Sequence, residues 1–252
     1  MVTFDSTLAG TSAATWAGDT RLDALPPFTL EGVQSLVVVA AHPDDETLGA
    51  GGLIAECGRR GIRTLVVVVT DGAASHPNST TTTARDLAAR RADEVREAVG
   101  ILSPLAAVLL LSHPDGGTLD VRDEIAADLR RAIPAIGAST LLVAPWRGDG
   151  HRDHRVVGEV CAEIAAARSL RFAEYPVWLW HWATPDHEDV PYGGLHRLAL
   201  DAELLETKHR AIGAYDSQLR PLSDASGDEA MLDAGFVEHF TGSGEFFVAA
   251  AL

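Results

Sequence analysis

Apolar residues along this chain recur in short continuous runs, and the segments between these runs are amphipathic. Three Val- and Leu-rich runs lie at residues 36–41, 64–70 and 140–144, and such runs are typical of strands buried on both faces. Segments with helical spacing alternate with them. This alternation predicts repeated strand–helix–strand units, and hence an α/β protein with a three-layer Rossmann-like fold around a mostly parallel central sheet.

The same pattern predicts the remaining elements. Further strands are predicted at residues 106–111, 171–182, 196–200 and 245–249. Helices are predicted at residues 49–60, 84–99, 121–133, 153–167 and 201–215. The polar segment 71–83 is predicted to be a loop, and loops of this length in a compact domain are often functional.

Length and composition narrow the class of protein. The 252 residues suffice for one large domain, and we expect a single domain over residues 1–252 with residues 1–30 as a loosely held N-terminal arm. Lys and Arg number 20 against 36 Asp and Glu, which gives a net charge of −16. A chain this acidic repels phosphate backbones, so nucleic acid is not an expected partner.

The sequence also bears on where the protein acts. Its apolar runs are far shorter than a membrane span and its first 30 residues lack the pattern of a signal peptide, so we expect a cytoplasmic protein without membrane insertion. The two cysteines, Cys57 and Cys161, are far apart and exclude a disulfide scaffold.

Chemically active side chains directly follow the first predicted strand. His42, Asp44, Asp45 and Glu46 lie within five positions, and glycines follow shortly after. In open α/β sheets, function concentrates just past the carboxyl ends of the strands. Capping the next helix would need only one such residue, so the cluster favours a metal or reaction centre.

A second cluster follows the strand predicted at 140–144. His151 and His154 are three positions apart at a predicted helix start, and residues with this spacing lie on one helix face. Alone, the pair is more typical of a solvated helix face. Its position at the same edge of the sheet as the first cluster favours convergence of the two on one point.

Together the clusters offer imidazole and carboxylate ligands without thiolates. Two His and one carboxylate suit a catalytic Zn²⁺, although the same set holds Fe(II) in oxygenases. The remaining His and Asp favour hydrolysis, which needs a base for water and a group that stabilises an oxyanion. Spacing alone does not separate Asp44 from Asp45, or His151 from His154.

The two clusters resemble the LmbE-like (PIG-L) family of zinc-dependent de-N-acetylases, which act on GlcNAc-phosphatidylinositol, on a glucosaminyl-inositol thiol precursor and on antibiotic glycosides. The resemblance rests on HPDDETLGAGG, which begins at His42, and GDGHRDH, which ends at His154. It continues through VTDG, PDG, EYPVW and KHRAIGAYDSQ, and covers roughly residues 36–249. Tyr215 departs from the family pattern, because many members carry His there.

The resemblance implies a role for each matching residue. His42, Asp45 and His154 would hold one Zn²⁺ per chain, with Fe²⁺ or another divalent ion as the alternative. Asp44 would be the general base. His151 would stabilise the oxyanion, with general acid as a second role.

Two further residues are expected to bind the substrate by family analogy, Arg91 and Asp115. The alternative for Arg91 is a helix-face ion pair with Glu94, and the alternative for Asp115 is a turn-forming role. Glu46 fits either support of the metal centre or a charge at a helix start.

Three tryptophans alternate along the strand predicted at 171–182. In a strand, Trp178, Trp180 and Trp182 would share one face. That face would either pack into the core or form a wall against which a sugar stacks.

Three hypotheses on function remain at this point. The leading one is a zinc-dependent hydrolase that removes the N-acetyl group from an N-acetylglucosamine-type sugar or glycoside, with that small molecule as its partner. The second is an amidase that cleaves a larger acyl group from a thiol or glycoside conjugate. The third is a sugar-binding module without catalysis. The oligomeric state stays open between a monomer and a homo-oligomer.

Overall fold

The computed structural model describes residues 9–133 and 139–249, which fold around one seven-stranded sheet. The strands are β1 (Ser35–Ala40), β2 (Arg63–Thr70), β3 (Ala107–His113), β4 (Thr140–Pro145), β5 (Arg171–Tyr175), β6 (Leu195–Ala199) and β7 (Gly244–Ala249). The helices are α1 (Ala13–Ala17), α2 (Asp45–Arg59), α3 (Ala84–Leu102), α4 (Arg122–Ala132), α5 (Arg152–Arg168), α6 (Leu179–Trp182), α7 (Ala202–Ile212), α8 (Asp216–Leu219) and α9 (Ala234–Glu238).

The order of the strands places a crevice at the middle of the sheet. The order is β3-β2-β1-β4-β5-β7-β6. Strands β1 to β5 run parallel, whereas β7 is antiparallel to β5 and to β6. The chain winds from β1 outward through β2 and β3, and then returns to build β4 and β5 on the other side. The winding reverses between β1 and β4, and ligands of such sheets bind at this switch point.

Alternate residues of β1 face two separate apolar clusters. Leu36, Val38 and Ala40 pack with α2, α3 and α7, while Val37 and Val39 pack with α4 and α5. Helices therefore cover both faces of the sheet. This explains why the sequence of β1 is an almost continuous apolar run. The prediction of a three-layer α/β fold with a mostly parallel sheet is confirmed.

One predicted strand is wrong in its second half. Strand β5 ends at Tyr175, and the chain then turns into the short helix α6 instead of continuing to residue 182. The carboxylate of Asp149 accepts the backbone N–H groups of Val177 and Leu179 at 3.0 and 2.9 Å, which holds this turn. No strand then aligns the three tryptophans on a common face.

The prediction of a loosely held N-terminal arm is also wrong for the part that the structure describes, residues 9–30. Trp16 is buried and its indole N–H donates to the carbonyl of Trp180 at 2.7 Å. Phe28 stacks on Phe247 at a centroid distance of 4.3 Å. Large aromatic side chains bury much apolar area, so this segment forms part of the core. Residues 1–8 lie outside the described residues.

The helices bear on the predicted absence of membrane insertion. The longest described helix, α3, has 19 residues and carries charged side chains throughout. Within residues 9–133 and 139–249, no helix combines the length and apolar composition needed to cross a bilayer.

Candidate metal centre and reaction cavity

The two predicted clusters meet at the switch point of the sheet. His42 and Asp44 leave the carboxyl end of β1, and His151 follows the end of the neighbouring strand β4. The imidazole rings of His42, His151 and His154 lie 4.8 to 5.5 Å apart, measured between centroids. The structure thus brings together the five residues predicted to hold a metal or to carry out the reaction, Asp45 included.

Three donor atoms have the spacing that one metal ion requires. Oδ2 of Asp45 lies 3.4 Å from Nδ1 of His42 and 3.2 Å from Nε2 of His154. In a tetrahedral zinc site with bonds of about 2.0–2.2 Å, neighbouring donors lie roughly 3.3 Å apart. His42, Asp45 and His154 could therefore hold a divalent cation without rearrangement.

His154 is oriented by a second carboxylate. Its Nδ1–H donates to Oδ2 of Asp149 at 2.7 Å, and both side chains are fully buried. Its Nε2 is buried and has no hydrogen-bond partner among the described residues. An unsatisfied buried nitrogen is costly, and a ligating His typically donates its other ring N–H to a carboxylate. This nitrogen therefore fits a metal ligand.

His42 is oriented in the same way. Its Nε2–H donates to Oδ2 of Asp153 at 3.1 Å, and Oδ1 of Asp115 lies 3.2 Å from the same nitrogen. This arrangement leaves Nδ1 for the metal. Asp153 is fixed in turn by the backbone N–H of Gly116 at 2.9 Å and the hydroxyl of Thr118 at 2.6 Å.

The carboxylates of the centre favour the protonated, positively charged form of two imidazoles, His42 and His154. Burial opposes charge on His42 and His154, but the surrounding carboxylates outweigh it. They raise the pKa of His42 well above its usual range and that of His154 to about 9. Burial likewise opposes ionisation of Asp45, yet His154 and His42 hold the pKa of that carboxyl well below its usual range. A divalent ion would displace the imidazole protons, so its binding depends on pH.

Asp44 lies beside the metal donors but faces a different partner. Its Oδ2 accepts from Nη2 of Arg91 at 2.8 Å, and the same guanidinium donates to the carbonyls of Pro43 and Gly72. Burial raises the pKa of Asp44 to about 7, against the opposing charge of Arg91. Arg90, and not Arg91, makes the helix-face contact with Glu94.

His151 is held in one tautomer. The backbone N–H of Asp153 donates to its Nδ1 at 3.2 Å, so the neutral ring carries its proton on Nε2. Burial and the neighbouring His154 and His42 lower the pKa of His151 to about 3. At neutral pH it is therefore an uncharged N–H donor.

Glu46 is not one of the metal donors. Its hydrogen bonds hold the loop that carries Asp44. Its carboxylate accepts from the hydroxyls of Tyr215 and Thr47, the latter at 2.7 Å, and from the backbone N–H of Asp44 at 3.2 Å. Burial raises the pKa of Glu46. Tyr215, the residue that departs from the family pattern, thus acts on the loop through Glu46.

A break in α2 lies just behind the metal donors. Ala50 has non-helical angles, φ −140° and ψ 16°, so backbone groups on both sides lose their helical partners. Lys208 donates to the carbonyl of Leu48 at 2.8 Å, and Glu245 accepts the backbone N–H of Gly52 at 2.6 Å. Lys208 and Glu245 also pair with each other at 2.7 Å, and both are buried.

Two of the three donors, His42 and Asp45, line a cavity of about 170 Å³, the reaction cavity. The polar residues of its lining include His42, Asp44, Asp45, Arg91, Asp115 and His151. Trp178 and Phe236 add aromatic rings to the same lining. A larger cavity of about 390 Å³ lies beside α1 and includes none of the predicted site residues. Chemistry rather than size therefore identifies the site.

Sequence reasoning missed Asp149 and Asp153, which orient the two ligand imidazoles. Both lie within the GDGHRDH segment. A ligating His usually has a carboxylate partner, so the acids just before HxxH and within it were the available signal. Which acid serves which imidazole depends on the turn after β4, and a spacing rule does not give that turn.

The fold and this donor set define an α/β protein with a candidate metal centre at the switch point. The sequence model of PIG-L, described as GlcNAc-PI de-N-acetylase, matches residues 37–165. The chain belongs to this family.

Two curated proteins are similar in sequence. The chain is 31% identical over 142 residues to the diacetylchitobiose deacetylase of Thermococcus kodakarensis, covering 55% of this chain and 51% of that protein. It is 29% identical over 197 residues to the 2'-N-acetylparomamine deacetylase of Streptomyces fradiae, covering 72% and 65%. The chain thus spans about half to two thirds of the length of these relatives.

A solved structure shares the fold. The N,N'-diacetylchitobiose deacetylase of Pyrococcus horikoshii, crystallised with an inhibitor, superposes with a TM-score of 0.56 at 22% identity. The match covers 76% of this chain and 74% of that one.

Proposed function

We propose that this protein is a metal-dependent hydrolase that removes the N-acetyl group from an N-acetylated amino sugar or its glycoside. The observation that carries the proposal is the convergence of three candidate metal donors with a carboxylate and a neutral N–H donor beside one cavity, which all of them but His154 line. The names of both curated relatives, which are sugar or aminoglycoside deacetylases, support the substrate class.

His42, Asp45 and His154 would hold the metal, for which zinc is the proposed identity. The spacing of their donor atoms and the unpartnered Nε2 of His154 fit such an ion. A bound divalent ion supplies Lewis acidity, which acidifies water and polarises the amide carbonyl. Asp149 and Asp153 keep the two imidazoles in the tautomers that this role needs.

Asp44 is the proposed general base. Its carboxylate lines the reaction cavity without being one of the three metal donors. Its raised pKa of about 7 lies near neutral pH, where such a base is both largely ionised and strong enough to take a proton. Asp44 would take the proton of the attacking water, and Arg91 keeps that carboxylate in place.

His151 is the proposed oxyanion donor. As the carbonyl carbon becomes tetrahedral, negative charge develops on the carbonyl oxygen, and a preoriented N–H donor stabilises it. The Nε2–H of His151 is available for this because Nδ1 is engaged by the backbone of Asp153. With its low pKa, His151 serves better as a donor than as a proton source. Asp44 is then positioned to return the proton to the leaving nitrogen.

Asp115 is the proposed acceptor for a sugar hydroxyl. It lines the reaction cavity, and its Oδ2 accepts the backbone N–H of Ala74 at 2.9 Å from the loop 71–83. Its pKa is lowered despite burial, because His42 stabilises the anion. The carboxylate therefore stays ionised at neutral pH and able to accept.

The test is direct. Purified protein with added Zn²⁺ is incubated with N-acetylglucosamine, its glycosides and analogues with longer N-acyl groups, and released carboxylate and amine are measured. We expect acetate release that is lost in His42→Ala/His154→Ala, and the metal content of both proteins is determined in parallel. Preference for a bulky acyl group, or release that persists in the double variant, would contradict the proposal.

A further inference from the structure

Gln218 lines the reaction cavity but has no part in the reaction proposed above. It lies in the short helix α8 and leaves only 2% of its surface exposed. Its backbone carbonyl accepts the N–H of Leu232 at 2.9 Å, which ties it to a second segment of the cavity wall. A side-chain amide carries two N–H donors and one acceptor oxygen, and in a buried position each needs a partner. The partners of Gln218 therefore show what it can still bind.

The first N–H of the amide is bound by Ser217. Nε2 of Gln218 donates to Oγ of Ser217 at 2.9 Å, and that hydroxyl donates in turn to Oε2 of Glu94 at 2.7 Å. A hydroxyl has one hydrogen, so Ser217 can only accept from Gln218. If the amide were turned over, two acceptors would face each other. The nitrogen of the amide is therefore fixed toward Ser217.

The second N–H faces Ser75 in the loop 71–83. Nε2 of Gln218 lies 3.4 Å from Oγ of Ser75. Burial lowers the pKa of His76, and the neutral ring donates from Nε2 to the carbonyl of Glu229 at 3.0 Å, so its Nδ1 is an acceptor. Ser75 therefore gives its hydrogen to Nδ1 of His76 at 3.0 Å and accepts from Gln218. Both serine hydroxyls thus require the nitrogen of the amide on their side.

The amide oxygen of Gln218 is left for a ligand. Within residues 9–133 and 139–249, no group donates to Oε1 of Gln218. Among these residues, the side-chain atoms that are enclosed without a partner are Oγ1 of Thr70, Nε of Arg91, Nε2 of His154 and Oδ1 of Asp228. Oε1 of Gln218 is not enclosed in this way, and the space that this residue lines is the reaction cavity. A donor on a bound molecule would satisfy the oxygen there.

We propose that Gln218 is a specificity-determining residue whose Oε1 accepts a hydrogen bond from one ring hydroxyl of the N-acetylated sugar. The inference rests on the proposed deacetylase function. Oε1 can only accept, so its partner is an O–H or N–H group of the substrate. The acetamide would be bound at the metal donors with its nitrogen facing Asp44, and no hydrogen bond joins Gln218 to these residues within the described chain. The ring hydroxyls are the donors that remain.

Two neighbouring residues of the loop 71–83 hold two acceptor side chains of the cavity. The backbone N–H of Ala74 binds the carboxylate of Asp115, and Oγ of Ser75 binds the amide of Gln218. The sugar ring would therefore donate to both from different hydroxyls. Because both hydrogens of the Gln218 amide are engaged, its site distinguishes a hydroxyl from a group that cannot donate.

The experiment combines changes in the substrate with a change in the protein, and kcat/KM is measured for each pair. The substrates are the methyl glycoside of N-acetylglucosamine and its analogues that lack the 3-, 4- or 6-hydroxyl. The proteins are the wild type and Gln218→Met, which keeps the length of the side chain and removes the acceptor. With the wild type, one analogue should lose roughly 10–100-fold against the parent glycoside, since it leaves Oε1 without its donor. With Gln218→Met, the same analogue should lose no more than about twofold.

The two other analogues serve as internal controls and should show the same loss, large or small, with both proteins. Gln34→Met is the matched control variant. Gln34 is exposed and directly precedes β1, at the end of that strand opposite the reaction cavity, so its loss for every analogue should equal that of the wild type. Each comparison is a ratio of two substrates on one protein, and a smaller folded fraction of Gln218→Met therefore cancels.

The outcomes separate this inference from the proposed function. If the wild type releases acetate from none of the glycosides, the proposed function itself fails. If the glycosides are deacetylated and Gln218→Met shows the wild-type loss for all three analogues, the function stands and the hydrogen bond from a ring hydroxyl to Gln218 is overturned.

Discussion

The backbone of Asp44 has φ 125°, a conformation that L residues with side chains rarely adopt. Strain of this kind costs on the order of 1–3 kcal/mol and persists only where the surroundings enforce it. Here the N–H groups of Thr47 and Leu48 bond to the Asp44 carbonyl at 3.0 and 2.9 Å, and Arg91 holds the carboxylate. In this conformation Asp44 lines the reaction cavity.

Asp44→Asn tests the proposed division between base and metal ligand. The amide keeps the shape of the side chain but accepts no proton from water, so kcat should fall by roughly 10²–10⁴ while metal content is retained. Asp45→Asn is the matched comparison and should lose metal. Loss of metal from Asp44→Asn with retention in Asp45→Asn would reverse the two assignments.

Tyr215→Phe tests the role of the residue that departs from the family pattern. Removing the hydroxyl leaves buried Glu46 with one partner fewer, which should lower the free energy of unfolding by about 1–3 kcal/mol. Because Tyr215 acts on the loop through Glu46, kcat should change only a few-fold. Denaturant unfolding and steady-state rates measure the two effects. A drop in kcat above 100-fold with unchanged stability would instead indicate contact with substrate.

Site residues were predictable from the sequence where several side chains able to bind a metal or a proton lie close together in it. His42, Asp45 and His154 stand out because imidazoles and carboxylates cluster after strands. Asp149 escaped prediction because its four partners include the backbone of residues 177–179, and no local pattern links a carboxylate to amides that far along the chain.

At the scale of elements, the break in α2 depends on the buried pair Lys208–Glu245. Lys208→Met removes the ammonium and leaves the Glu245 charge buried and the Leu48 carbonyl without this donor. Breaking one partner of a buried pair typically costs 3–5 kcal/mol, so we expect a loss of about that size in denaturant unfolding. Metal affinity should fall as well, because the broken segment directly follows Asp45.

The double variant Lys208→Met/Glu245→Gln provides the control for this prediction. With the buried charge removed, part of the cost should be recovered, so the double variant should be less destabilised than the sum of the single variants. Strict additivity would show that the two side chains act independently.

Strands buried on both faces were predictable from the sequence. Points at which a single side chain turns the backbone were not. Strands β1, β2 and β4 lie within one residue of their predicted bounds, since continuous apolar runs leave few other structures. Helix α2 begins at Asp45, four residues before its predicted start, because its first turn carries site residues that do not look helical. The strand predicted over 171–182 ends early, because Asp149 turns the chain after Tyr175.

On the scale of the whole molecule, the proposed metal at the switch point would join segments far apart in sequence. An ion that binds only the folded state stabilises it by about 2.7 kcal/mol at 100 times its Kd. Chelation should therefore lower Tm by several degrees, and one equivalent of Zn²⁺ per chain should restore it. His42→Ala/His154→Ala should show no such response. An equal response in that double variant would place the metal elsewhere.

Two loops on the rim of the reaction cavity are joined through His76. Its Nε2–H donates to the carbonyl of Glu229 at 3.0 Å, and burial lowers its pKa. The unfolded chain therefore binds a proton at higher pH than the folded chain does. Stability from this residue is complete above the unfolded pKa near 6.5 and is lost as pH falls below it.

His76→Gln measures this effect. As the pH falls from 7.5 to 5, the unfolding free energy of the wild type should decrease relative to that of His76→Gln. His187→Gln, a change at a half-buried histidine outside both loops, is the matched control for the substitution itself. A difference for His76→Gln that is independent of pH would contradict the assignment.

The N-terminal arm is a segment for which amino-acid composition gives the wrong prediction. Its Thr, Ser, Ala and Gly content favours a loose segment, yet Trp16 and Phe28 each find an aromatic partner in the core. Two large side chains in thirty residues outweigh many small ones in buried area. The pairing partners, Trp180 and Phe247, lie so far along the chain that a local pattern does not reveal them.

The break in α2 has a consequence for the order of events during synthesis. Gly52 is bound by Glu245, 193 positions later, so the ribosome finishes the proposed metal-binding segment long before it makes the residue that braces it. At ~5–20 residues per second, the delay is roughly 10–40 s. A nascent chain that stops short of β7 therefore carries His42 and Asp45 on an unbraced segment, and tight capture of the proposed metal would be the closing step of maturation.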